Sequence, residues 1–111
     1  MVRVFVSQPM KNKSEERIRD ERQRITDKLN DRFVGQAEII NKFNPAAYTC
    51  MASQKNAPLA ALGQSLILMS TADVVFFARG WKEARGCRIE NQAAIEYGLT
   101  VIEDYEEDTH E

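Results

Sequence analysis

Apolar residues crowd the first positions, Val2-Arg3-Val4-Phe5-Val6, and the run breaks at Ser7-Gln8-Pro9-Met10. β-Branched and aromatic side chains favour a pleated strand, and proline cannot donate to a ladder, so the segment reads as a strand entering a loop. From Ser14 to Phe33 the pattern changes. Ile18, Ile25, Leu29 and Phe33 fall at helical spacing within a dense field of charge. Ser14 is placed to cap this helix, and Glu15 and Glu16 occupy the first turn, where the helix dipole favours acids. The pattern predicts a long amphipathic helix with a narrow apolar stripe. Gly35 ends it, and Ala37 to Ile40 make a short second strand.

Asn41 to Pro58 shows no clear period and is longer than loops in compact domains usually are; such loops tend to be functional or mobile. Leu59, Leu62, Leu66 and Met69 mark a second helix. Ala72 to Ala78 follows as an almost unbroken apolar run, the mark of a central strand buried on both faces. Arg79 to Gly86 is a charged, glycine-flanked loop, Cys87 to Tyr97 a third helix closed by Gly98, and Leu99 to Ile102 a last strand. Glu103 to Glu111 has no period and reads as a solvated acidic terminus.

The order βαβαβαβ calls for a parallel sheet with right-handed crossovers and helices on both faces. The expected fold is therefore α/β, a flavodoxin-like (Rossmann-like) three-layer sandwich with a four-stranded parallel sheet. At 111 residues there is room for one core, so residues 1–103 are read as a single domain and 104–111 as its tail. Ligands of such sheets bind beyond the carboxyl ends of the strands, near the switch point in strand order. That directs attention to two loops, Ser7 to Lys13 and Arg79 to Gly86.

Composition removes several classes of function. With 43% hydrophobic and 29% charged residues the chain resembles an ordinary globular protein. A formal net charge of -2 argues against a module held on a nucleic acid polymer by phosphate neutralisation, while leaving small anionic ligands open. The N-terminus turns polar too soon for a signal peptide, and no apolar run approaches the roughly 20 residues of a membrane helix, so a cytoplasmic protein is expected. Cys50 and Cys87 form neither a disulfide framework nor paired metal-ligand spacing, and are expected to be reduced.

The candidate chemistry narrows in the same way. The single histidine, His110, stands one residue from the end, which leaves no ordered partner for a Ser-His-Asp triad, a Cys-His dyad or a histidine-ligated zinc. Neither Gly-x-Gly-x-x-Gly nor a Walker lysine follows the first strand. Carboxylates, amides, hydroxyls and arginines remain. Glu90 falls about one turn into the third helix, with small neighbours Ala93 and Ala94 leaving room for a ligand; the alternative is that it only complements the helix dipole, worth about 0.3 to 1 kcal/mol. Asp73 begins the central strand, far from its carboxyl edge at about 3.3 Å per residue, and is expected to be a structural cap. Arg79, Lys82, Arg85 and Arg88 surround the third loop, and Lys11 and Lys13 follow the first. Together they form either an anion site or ordinary surface charge. Trp81 and Tyr48 offer rings that stack on a base or pack beneath their loops. Cys87 is read as a small buried residue.

Three segments carry a family resemblance: Ser7-Gln8-Pro9-Met10, Ala72-Asp73-Val74-Val75, and Gly80-Trp81-x-x-Ala84-Arg85-Gly86-Cys87-x-x-Glu90. Over nearly the whole chain the sequence resembles the nucleoside 2-deoxyribosyltransferase-like superfamily, most of all its branch of small bacterial and phage proteins. The resemblance implies a homo-oligomer that cleaves or transfers at the N-glycosidic bond of a nucleoside or nucleoside 5'-monophosphate, without metal or organic cofactor. Glu90 stands where the family's glutamate attacks the anomeric carbon. Ser7, Gln8 and Met10 are implied to line the sugar pocket, Arg79 and Arg85 to hold a 5'-phosphate beside Gly80 and Gly86, and Trp81 or Tyr48 to face the base. In one place the chain departs from the family. Eight positions ahead of Asp73, where the family's enzymes carry an aspartate, this chain has Ser65, which is no comparable proton source at neutral pH. A second reading follows from that departure, a non-catalytic nucleotide-binding or sensing module of the same fold.

Overall fold

A computed structural model describes residues 1–45 and 55–104. Its elements are β1 (Val2–Ser7), α1 (Glu15–Arg32), β2 (Ala37–Ile39), α2 (Ala57–Met69), β3 (Val74–Phe77), a 3-10 turn (Trp81–Glu83), α3 (Arg85–Glu96) and β4 (Thr100–Glu103). Tyr48, Cys50 and His110 lie outside the described residues.

The four strands form one all-parallel sheet in the order β2-β1-β3-β4. Side chains alternate across a strand, and the two faces of this sheet bury two clusters. Val4, Val6, Val74, Phe76 and Ala78 pack with Ile25 and Leu29 of α1 on one face. Phe5, Val75 and Phe77 pack with Met69 of α2 and Ala94 of α3 on the other. The chain is thus an α/β flavodoxin-like three-layer sandwich, with α1 on one side and α2 and α3 on the other. β1 and β3 are neighbours whose following helices cover opposite faces, so the switch point lies between their carboxyl ends.

Several expected details hold. The Ser14 side chain accepts from Arg17 N and caps α1. Gly35, at φ 75°, adopts the left-handed conformation that ends the helix, its N–H donating to Asn30 O at 2.8 Å. Asp73 is a cap between strands: its Oδ2 accepts from Arg3 N at 2.8 Å, while Asp73 N donates to Arg3 O at 2.8 Å.

Other boundaries move. α2 begins at Ala57 rather than Leu59, because Asn56 caps it by accepting from Leu59 N, and Pro58 is tolerated in a first turn. α3 begins at Arg85 rather than Cys87. Gly80, at φ 83°, reverses the chain into the 3-10 turn, which shortens the third loop and puts Gly86 inside the helix. β4 starts at Thr100, opposite Val74, while Leu99 packs into the second core. The solvated-terminus reading fails for two residues: Glu103 belongs to β4, and the Asp104 side chain is fully buried. Among the described residues no helix is long and apolar enough to cross a membrane.

Candidate functional site

A cavity of about 730 Å³ opens at the switch point. Its walls come from the end of β1 and the loop after it, from the segment Arg79 to Arg88, and from Ser65 and Glu90. Ser7, Gln8, Met10, Ser65, Arg79, Gly80, Arg85, Gly86 and Glu90 are therefore brought together as one lining, although they span eighty-odd positions of sequence.

Glu90 sits on the inward stripe of α3 with Cys87 and Ala94 and is only 8% exposed. Its Oε1 accepts from Ser7 Oγ at 2.6 Å, and the Ser65 side chain also hydrogen-bonds the carboxylate. Burial pushes the Glu90 carboxyl up, the two hydroxyls pull it down, and burial prevails. Burying an ion costs several kcal/mol where no cation pairs with it, whereas complementing a helix dipole returns about 1 kcal/mol at most. The dipole therefore does not account for a buried Glu90, and a costly, perturbed carboxylate in a cavity is the pattern of a working group. If the ionised form is the reactive one, the acid limb of kcat/KM is expected above the ordinary glutamate value of 4.5. A profile flat down to that value would show that the reaction does not use Glu90 in this way.

Cys87 borders the same floor. Burial pushes its thiol up, the Ser7 hydrogen bond pulls it down, and the Glu90 charge raises it again, so the net shift is upward. A thiol held protonated fits the small buried residue expected from the sequence.

Gln8 lines the cavity, but its amide is engaged with α1. Nε2 donates to Ile18 O at 3.1 Å and to Glu21 Oε1 at 3.3 Å, and Oε1 accepts from Arg22 Nε at 2.8 Å. It acts as a strut under the first loop. Lys13, offered above as an anion ligand, pairs with Glu21 at 2.9 Å. Burial would raise the Glu21 carboxyl, but the hydrogen bonds from Lys13 and Gln8 outweigh it and hold the group low.

Trp81 is placed elsewhere than the resemblance implied. It is absent from the cavity wall and packs on Phe77, with ring centroids 5.3 Å apart, while its indole N–H donates to Glu103 Oε1 at 3.3 Å. The 3-10 turn tips the ring toward the β3 and β4 side, away from β1. Lys82 follows it, lying over the indole at 5.7 Å. Tyr48, the other candidate ring, falls outside the described residues.

The basic residues collect as the sequence allowed. Among the described residues, Lys11, Arg79, Arg85 and Arg88 line the cavity with the carboxylates Glu83 and Glu90, and a further cation there, Lys13, is already paired with Glu21. Here α3 also begins: its N-cap, Ala84, provides no side-chain cap for the first-turn N–H groups. Such a helix start favours anions. Among the described residues no group of three or more His, Cys, Asp or Glu stands together to hold a metal ion.

Asn41 on the lining was not anticipated as a site residue. Asn41 Oδ1 accepts from Val6 N at 2.8 Å and Nδ2 donates to Val6 O at 2.7 Å, so the side chain replaces a strand partner just after β2. In a loop with several asparagines nothing local distinguishes this one. Compared with protein-family models, curated proteins and solved structures, the chain gives no match.

Proposed function

We propose that the protein cleaves or transfers at the N-glycosidic bond of a nucleoside 5'-monophosphate, with Glu90 as the nucleophile. The observation that carries this reading is the buried Glu90 carboxylate, held by Ser7 and Ser65 on the floor of a cavity at the switch point. An oxygen of Glu90 would form a bond to the anomeric carbon as the carbon–nitrogen bond breaks, its electron pair leaving with the base, which takes up a proton. Water or a second base then displaces the carboxylate from the glycosyl ester and regenerates it, the two-step logic of a retaining glycosidase. The excess of cations on the wall and the uncapped start of α3 support a phosphorylated substrate over a neutral nucleoside. No metal or organic cofactor enters this scheme.

Ser65 supports a second reading, a nucleotide-binding module without chemistry, because a hydroxyl cannot protonate a departing base as an aspartic acid does. Incubation with a panel of nucleosides and 5'-monophosphates, followed by chromatography for free base, separates the two. Base release from a monophosphate is the expected result. Tight binding without release would establish the module instead.

The helix α2 supports a homo-oligomer. Its sequence, APLAALGQSLILM, is apolar nearly all round, yet only Met69 is buried within one chain. Leu59 and Ile67 are 62% and 69% exposed, and Ile95 and Tyr97 at the end of α3 are exposed too. A helix apolar on every face belongs in a core or an interface. Sedimentation is expected to give a multiple of 12.7 kDa, and Ile67→Glu to shift it toward that mass. A wild-type mass near 12.7 kDa would overturn the oligomer.

A further inference from the structure

Three consecutive residues at the carboxyl end of β1 are each held by a different element. Ile40 N pairs with Val4 O at 2.9 Å, and one step further the Asn41 side chain takes over from β2, accepting from Val6 N at 2.8 Å and donating to Val6 O at 2.7 Å. Ser7 O accepts from Ala78 N at 2.9 Å, and Ser7 Oγ donates to Glu90 of α3 at 2.6 Å. Gln8 is bonded to α1, donating to Ile18 O at 3.1 Å and accepting from Arg22 Nε at 2.8 Å.

One arginine closes these contacts into a ring. Arg22 is buried on α1, and its Nη1 donates to Asn41 O while its Nε holds Gln8. A single guanidinium therefore ties the loop after β1 to the loop after β2. The circuit from Val6 through Asn41, Arg22 and Gln8 returns to β1 with Ser7 enclosed between its two ends. Reaching two acceptors in set directions needs a planar group with donors in a fixed fork, which arginine has and lysine, a compact point of charge, lacks. Ser7, Gln8 and Asn41 line the cavity, whereas Arg22 stands behind them.

We propose that Arg22 is a positioning residue for the nucleophile: by pinning Gln8 and Asn41 to α1 it fixes the Ser7 hydroxyl that donates to Glu90. The proposal rests on the reading of Glu90 as the reacting group. A site keeps its productive geometry only where the residues behind it are locked as well, and a displacement of about 1 Å can cost about 100-fold in rate. Ser7 from β1, Ser65 from α2 and Cys87 one turn earlier on α3 face Glu90. Of these, Ser7 is the one that the ring encloses, and its hydrogen bond pulls the Glu90 carboxyl down against burial. Loosening Ser7 lets that carboxyl rise further.

The test follows the Glu90 carboxyl by isotope-edited infrared titration of the full chain, with Glu90→Gln to assign the band, beside base release from the 5'-monophosphates as a function of pH. Wild type, Arg22→Lys, Ser7→Ala and the double variant are compared. Arg22→Lys keeps the charge and discards the fork. It is expected to move both the Glu90 titration and the acid limb of kcat/KM to higher pH, and to lower kcat about tenfold. In the Ser7→Ala background the same substitution should move neither any further, which a general loosening of the fold would not respect. A folded Arg22→Lys protein with the wild-type titration, or an equal displacement with and without the Ser7 hydroxyl, overturns the positioning role. Should Arg22→Lys not fold, Asn41→Ala opens the ring at Val6 and decides: an unmoved Glu90 titration there would refute the proposal. A wild type that releases no base overturns the glycosidic reading alone, since the infrared titration needs no turnover.

Discussion

Replacing Glu90 by glutamine is expected to lower base release by about 1000-fold or more while raising the melting temperature at neutral pH. The first effect follows because an amide cannot form the glycosyl ester, and loss of a nucleophile usually costs orders of magnitude. The second follows from burial. The Glu90 carboxyl is raised above its ordinary value of 4.5, so the folded state disfavours the ion. Below that value the side chain is protonated in folded and unfolded chains alike, and no penalty applies. As pH rises through the window from 4.5 to the raised folded value, the unfolded chain ionises first and wild type loses stability. Glutamine does not titrate there, and its carbonyl oxygen still accepts from Ser7. Thermal melts from about pH 4 to about pH 8 should show the gap between variant and wild type widening with pH. A variant keeping more than about a tenth of the wild-type rate is incompatible with a covalent role. A variant less stable than wild type at neutral pH would contradict the account of Glu90 burial.

Ser65→Asp is expected to raise base release about 100-fold on unactivated substrates, the usual scale of general-acid assistance. Ser65 projects from α2 into hydrogen-bonding range of Glu90. An aspartate there would set two carboxyls side by side in a buried site, where they cannot both ionise and one must stay protonated. That proton would then be available to the departing base. The substitution should also cost stability, since a hydroxyl donor to Glu90 is replaced by a competing acid. Unchanged turnover in a folded Ser65→Asp protein would mean that another group, or water alone, protonates the base.

Much of the architecture was legible because burial and periodicity are local signals. Ile18, Ile25 and Leu29 recur at helical spacing and all three are buried, Ile25 and Leu29 in the core under one face of the sheet. The unbroken run through Val74 to Phe77 requires cover on both faces, and both faces are covered. Parallel pairing followed from alternation of strands and helices, and with it the edge at which the cavity opens. On that basis alone Ser7 and Glu90 could be expected near one another. The boundaries that moved did so for local reasons too, at Asn56 and Gly80, where a cap and a positive φ shift a helix start by two residues.

What the sequence could not determine was the partner each polar side chain takes. Gln8 faces α1 through Arg22, Asn41 stands in for a strand beside Val6, and Trp81 turns its indole to Glu103. Asp104, in a stretch that reads as solvated tail, is buried against Arg24 and Lys28, 80 and 76 positions away. Such contacts depend on helix tilt, strand stagger and rotamer, which no pattern along the chain encodes. The sequence by itself therefore determined the elements, their parallel order and the edge that carries the cavity, because apolar periodicity and turn chemistry act within a few residues. It took the packed layers to bring Ser7 and Ser65 onto Glu90 and to bury Asp104 between Arg24 and Lys28, because those distances exist only once the helices lie on the sheet.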